Sequence, residues 1–299
     1  MTGFWLAALA LLLAGPVTDA FGRARWTDRA PRAAVVLWQA IAIAAVLAAI
    51  GSVLALPEEL LRLTASQDEL QFGPDLVAAA TIAAIMAGTI VLRLIISLGR
   101  LAISTRRRRQ RHRDLVDLIS QADATRQALD LRILDGEHPI AYCVPGREAR
   151  VVISTGTTAL LSTEQVDAVV AHERAHLRSR HDLVIEAFTA LHAAFPRWVR
   201  SRLALDSVRT LLEMLADDNA ARLHGRGVVA SAITAMTAAD DTEATARIRR
   251  LEVSTPTAVT QPRRRLAAAM YAGAAAVLLI PTVSLAMPWL TDAYAALPL

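Results

Sequence analysis

Four stretches of this chain are too long and too apolar to read as parts of an ordinary soluble domain. Ala33 to Pro57 runs for 25 residues without a charge, which as a helix covers the ~30 Å hydrocarbon core of a bilayer. Leu76 to Leu92 is uncharged for 17 residues, with Arg93 placed to snorkel from its end. Gly3 to Thr18 is a further such run, and Leu266 to Thr291 is the last, with Pro281 inside it as a kink point. The sequence therefore predicts transmembrane helices at about residues 3–21, 33–57 and 76–98, and a fourth from residue 266. The first run lacks the basic flank of a cleaved signal peptide. A buried core helix is the competing reading for the two shorter runs, and four such runs in one chain argue against it. The 54% apolar content is concentrated in these stretches.

Charge between the runs sets an expected orientation. Arg23, Arg25, Arg29 and Arg32 face only Asp28 between the first two runs, whereas Glu58 to Asp75 carries five acids against Arg62. The third run is followed by the basic stretch Arg106 to Arg113, and Arg263 to Arg265 precede the fourth. The positive-inside rule then puts both basic loops in the cytoplasm and both termini outside. The expectation is a multi-pass protein of the cell membrane, with the bilayer as its first partner. Flanking arginines account for the high isoelectric point, so no direct nucleic-acid partner is expected. The lone Cys143 excludes an internal disulfide and a cysteine-based zinc site.

The sequence divides into three spans in residues 1–104, a cytoplasmic domain in 105–265, and the fourth span with a short outer tail in 266–299. Within the domain a helix is expected over Asp114 to Leu129. Short β-type runs follow at Leu131–Leu134, Ala141–Val144 and Arg150–Ser154, separated by Asp135-Gly136 and Pro145-Gly146 turns. Ser162 and Gln165 form a capping box that opens an amphipathic helix. A helix over Asp182 to Leu203 should break at Pro196, and another covers Leu211 to Leu223. Ala239 to Pro262 reads as a linker back to the membrane.

The chemistry sits in His172-Glu173-Arg174-Ala175-His176. Histidines four residues apart share one helix face, so both imidazoles can reach one metal ion. The glutamate between them is the residue type that activates water in zinc peptidases. Two histidines leave a third ligand to find. Glu213 ranks first, because it lies on a separate helix with Asp217 one turn on, where it can orient a ligating histidine. Asp182 and His181 follow in that order. With Zn2+ bound, Glu173 is the expected base that takes a proton from water and later delivers it to the leaving amine. Arg178, Arg180, His181 and His224 are candidates for stabilising the oxyanion. An extended substrate is expected to add as a strand beside Arg150 to Ser154.

In layout the chain resembles the antirepressor membrane metallopeptidases of the BlaR/MecR type. The matching residues are Val152 to Gly156, Ala171 to Asp182, and Glu213-Met-Leu-Ala-Asp217. That resemblance implies His172, His176 and Glu213 as zinc ligands, Glu173 as base and Asp217 as the orienting carboxylate. The implied fold is mainly α: a four-helix transmembrane protein with a cytoplasmic α+β, gluzincin-like zinc peptidase domain between the third and fourth spans. It also implies a cytoplasmic protein substrate, a dimeric winged-helix repressor, with self-cleavage and a homo-oligomer as open options. No penicillin-binding sensor domain of the kind such proteins carry is expected after the fourth run. Two other functions compete: membrane-protein quality control of the HtpX type, which shares the Glu-x-x-x-Asp pattern, and a non-catalytic receptor or scaffold.

Overall fold

The computed structural model describes residues 2–64, 74–122, 130–146, 148–194, 202–238, 240–253 and 260–295. The middle of the acidic loop, residues 123–129, Pro196 and Pro256 lie outside them. The first apolar run folds as two helices, α1 (Thr2–Ala14) and α2 (Pro16–Gly22). It was expected as one; Pro16 has no N–H to continue α1 and sits instead at the first turn of α2. A 3-10 turn at Arg25–Arg29 leads into α3 (Pro31–Thr64).

The next helix, α4 (Pro74–Ile119), departs further from expectation. Its 46 residues extend about 69 Å at 1.5 Å per residue. It carries the third apolar run, the whole basic stretch and Asp114 without a break, in place of a span ending near 98 and a separate helix over 114–129. From Arg93 to Ile119 there is no proline and a single glycine, so nothing interrupts the backbone ladder.

The strands are β1 (Gln121–Ala122), β2 (Leu131–Leu134), β3 (Ala141–Val144) and β4 (Arg150–Ser154), and the last three occupy the expected runs residue for residue. They form one sheet in the order β1-β2-β4-β3, with β2 and β4 parallel and the other pairs antiparallel. Period-two alternation makes the sheet two-faced. Leu131, Val151 and Ile153 pack on one side, while Val144 and Val152 meet Val116 of α4 on the other. Interior β4 is paired on both edges, so a substrate cannot add beside it as the sequence suggested. The edge strand on that side of the sheet is β3.

After β4 come α5 (Thr155–Leu160) and α6 (Thr163–Arg178). Gly156 allows this turn: a Cβ there would lie 2.0 Å from the Glu137 carbonyl oxygen. The capping box is formed, with Gln165 N–H donating to Ser162 Oγ and Ser162 N–H donating to Gln165 Oε1. Val166 and Val170 of α6 cover the sheet. Then follow α7 (His181–Ala194), α8 (Arg202–His224) and α9 (Arg226–Met236), the last two joined at Gly225 with φ +87°.

The expected linker over 239–262 instead contains a helix, α10 (Thr242–Val253). Asp241 caps it by accepting from the backbone N–H groups of Glu243 and Ala244. Its buried Ala244 and Leu251 lie on one face, and Leu251 packs with Val229 and Ala230 of α9. That burial outweighs the weak helix propensity of its threonines. The final helix is α11 (Thr260–Ala295).

Among the described residues, four helical stretches are long and apolar enough to cross a membrane: Thr2–Gly22, Pro31–Ala55, Val77–Ile119 and Arg263–Met287. This is consistent with a membrane protein. The helix α8 packs directly onto this group, because Val208, Leu211, Leu212 and Met214 share a core with Ala34 and Trp38 of α3 and Met270 of α11.

Candidate metal centre

Two helices with different roots bring the candidate ligands together. His172 and His176 project from α6, which is seated on the sheet; Glu213 projects from α8, which is seated on α3 and α11. His172 Nε2 lies 3.1 Å from His176 Nε2; Glu213 Oε2 lies 3.3 Å from His172 Nε2, and Glu213 Oε1 lies 3.3 Å from His176 Nε2. A tetrahedral zinc with ~2.05 Å bonds to nitrogen and oxygen sets its ligand atoms about 3.3 Å apart. The triangle therefore has the size of one face of such a site, and these three residues fit the metal. Among the described residues they are the group that could hold an ion.

Each histidine is oriented from its outer nitrogen. His172 Nδ1 lies 3.0 Å from Asp217 Oδ1, and Asp217 is nearly inaccessible to solvent. A carboxylate there fixes the proton on Nδ1 and leaves Nε2 free for a metal. His176 Nδ1 meets His181 Nδ1 at 3.0 Å. That contact exists because α6 ends at Ser179 and Arg180 adopts φ +51°, turning the chain so that His181 starts a new helix. Thus His181 backs His176 and stays outside the ligand triangle. Asp182 is taken elsewhere, accepting from Arg109 Nη1 at 2.8 Å, and Arg109 also reaches Glu186 at 2.6 Å.

The carboxylates share a counterion that the sequence reading missed. Arg247, on α10, donates through Nε and Nη2 to Asp217 at 2.8 and 2.7 Å, and its Nη1 lies 3.2 Å from Glu213. All three guanidinium nitrogens are thus committed to the two acids. The available signal was the cap residue Asp241 ahead of apolar positions Ala244, Ile248 and Leu251, which is helical spacing. Next to it, Arg250 pairs with Asp218 at 2.6 Å and donates to the Asp28 carbonyl. This ties α10 both to α8 and to the turn before α3.

Proton affinities follow from these contacts. Burial disfavours the His172 cation, but the Asp217 and Glu213 carboxylates outweigh it and raise the group to about 9. Burial pushes His176 down to about 4. For Glu213, burial acts upward, but the bond to His172 and the charges of His172, His176 and Arg247 together outweigh it, leaving about 2; Asp217 also falls to about 2, through Arg247 and His172 against burial. Glu173 is raised, chiefly by burial, with His172 opposing and Glu213 adding. Burial and the nearby Glu173 carboxylate push the Cys143 thiol, on β3, up to about 12. Sequence reasoning had used Cys143 to exclude a disulfide and a cysteine-based zinc site, and gave it no place beside Glu173.

A cavity of about 350 Å³ opens over these groups. Its lining brings His172, Glu173, Glu213, Asp217 and Arg247 together with the apolar Ile140, Val229, Ile233 and Met236. Of the four oxyanion candidates read from the sequence, Arg178, Arg180, His181 and His224, none lines this cavity. Arg178 instead reaches Asn219 at 3.4 Å.

No solved structure matches the chain. Residues 105–238, from the basic stretch of α4 to the end of α9, match the model of Peptidase family M48, and this match over somewhat less than half of the chain supports a metallopeptidase.

Proposed function

We propose that this chain is a membrane-embedded zinc endopeptidase that cleaves a cytoplasmic protein. The observation that carries the reading is the ligand triangle with the half-buried Glu173 lining the same cleft. His172, His176 and Glu213 would hold the ion, which supplies a Lewis acid able to make water nucleophilic at neutral pH. Glu173 takes the proton from the attacking water; its raised proton affinity lets it keep that proton and deliver it to the leaving amine. Asp217 and His181 hold the two imidazoles in their ligating orientation. The edge strand β3 begins at Ala141, beside the cleft, and offers unpaired backbone groups to an extended peptide. The apolar wall suits a substrate side chain of leucine or methionine type next to the scissile bond.

The resemblance to the BlaR/MecR type adds a transcriptional repressor as the substrate and a signalling role. Three apolar helices before the site and one after it favour that assignment. Quality control of membrane proteins is the second reading, favoured by the apolar cleft wall, which suits residues exposed by unfolding. Comparing protein N-termini in cells carrying wild type or Glu173→Ala tests all of this. New termini from a cytoplasmic repressor, seen only with wild type, support the regulatory reading. Termini spread over membrane proteins support quality control. Purified Glu173→Ala should retain zinc and lose about 10²–10⁴ in peptide turnover; full turnover in that variant contradicts the peptidase reading.

A further inference from the structure

A second cavity, of about 600 Å³, lies away from the metal centre, between the apolar helices. Ala45 and Ala49 of α3 line one side, and Met86 and Ile90 of α4 line the other. The alanines are small and Met86 is 52% exposed, so α3 and α4 leave the space between them unfilled. The lining on α3 runs from Trp38 to Ala49, about 16 Å of helix. This is roughly half of a ~30 Å hydrocarbon core, the depth of one leaflet.

The polar groups gather at one end. Arg93 and His192 line the cavity there. One turn beyond Arg93, Ser97 Oγ donates to the Ala190 carbonyl at 3.0 Å, tying α4 to α7. That end is therefore the one nearest the metal-binding domain. Apart from Thr18, Arg93 and His192 the lining side chains are predominantly apolar, and Arg93 is its single arginine. An apolar trough of one leaflet's depth with a cation at its end matches the polarity of an acyl chain below an anionic headgroup.

We propose that this slot binds one anionic phospholipid from the leaflet on the domain side. The tail lies along Ala45, Ala49, Met86 and Ile90, and the phosphate sits at Arg93 and His192. The proposal rests on the membrane reading of the four apolar helices and is independent of the peptidase reading. It also gives the lipid a route to the metal centre. Trp38 lines the slot and shares a core with Leu212 and Met214, the residues on either side of Glu213.

Native mass spectrometry of the purified full-length protein, offered phosphatidylglycerol or phosphatidylcholine, tests the proposal. The expected result is one retained phosphatidylglycerol per chain, preferred about fivefold, the preference one arginine supplies toward an anionic headgroup. Arg93→Gln should abolish the preference, and Ala45→Phe with Ala49→Phe should abolish retention by filling the slot. Equal retention of both lipids, or retention unchanged in the phenylalanine variant, overturns it. Should that variant not fold, a photo-crosslinker at Met86 decides the matter. Capture of lipid supports the slot, and capture of a protein segment overturns it.

Discussion

The helices α6 and α8 supply one candidate metal site from two differently built foundations. The first is rooted in the sheet: Val166 and Val170 pack on Leu131, Val151 and Ile153, and a capping box fixes its start. The second is rooted among the apolar helices, through Leu211, Leu212 and Met214 against Trp38 of α3 and Met270 of α11. Neither foundation makes the site alone, because two ligands stand on one and the third on the other. The geometry of the triangle therefore reports the relative placement of the sheet half and the span half. Arg247 joins them further, since it binds the candidate ligand Glu213 and Asp217, the carboxylate beside His172.

Core truncations should separate the two halves most strongly. Leu131→Ala and Leu212→Ala each remove a nearly fully buried side chain, at a cost of about 2–5 kcal/mol. Hydrogen exchange should show faster exchange in the sheet and α6 for the first, and in α8 for the second. Only Leu212→Ala should respond to the choice of membrane mimic. Exchange that rises equally in both helices for either variant would mean the halves form one cooperative unit.

Arg247→Ala should come next in size. It leaves Glu213 and Asp217 without their shared cation, and zinc affinity should fall about 10–100-fold, as for loss of groups that orient metal ligands. Arg247→Lys should restore little, because an ammonium cannot span both oxygens of Asp217. Zinc titration of each variant checks this; wild-type affinity in Arg247→Ala would reduce α10 to a packing helix.

Acidity sharpens the comparison on the α6 side. In the metal-free protein His172, raised from 6.5 to about 9, keeps its proton at neutral pH. Its stabilising contact with Asp217 is fully present below pH 6.5 and is lost as pH rises through about 9. Zinc must displace that proton, so apparent affinity should rise about tenfold per pH unit up to about 9 and then level off. His176, lowered to about 4, is already neutral and adds no slope in that range. Asp217→Asn should move the levelling point down; an unchanged point would show that Asp217 does not set it.

The smallest effect expected is that of Ser162→Ala, which removes the cap of α6 at about 1 kcal/mol. Its thermal midpoint should fall modestly with zinc affinity nearly unchanged, and a loss of zinc binding would place the α6 start much closer to the site energetically.

The contrast also separates what the sequence revealed from what it hid. The sheet half was legible because its signals are local: alternating runs at Leu131–Leu134, Ala141–Val144 and Arg150–Ser154, turn residues between them, and the capping box at Ser162. Spacing also singled out His172, His176, Glu213 and Asp217, which the fold brings together. Hidden were features set by long-range packing. Nothing near Arg247 in the chain announces that α10 folds back over α8. Likewise, His181 reaches His176 only because Arg180 takes a left-handed backbone conformation. The strand suggested for substrate addition, β4, was misassigned because sequence order does not reveal which strand becomes the sheet edge.

X-ray absorption at the zinc edge, on the loaded wild type and on Glu213→Ala, tests the two-helix site most directly. Two imidazole nitrogens and carboxylate oxygen are expected in the wild type, with the carboxylate contribution lost in the variant. A spectrum with three imidazoles, or one that Glu213→Ala leaves unchanged, would contradict a site assembled from α6 and α8.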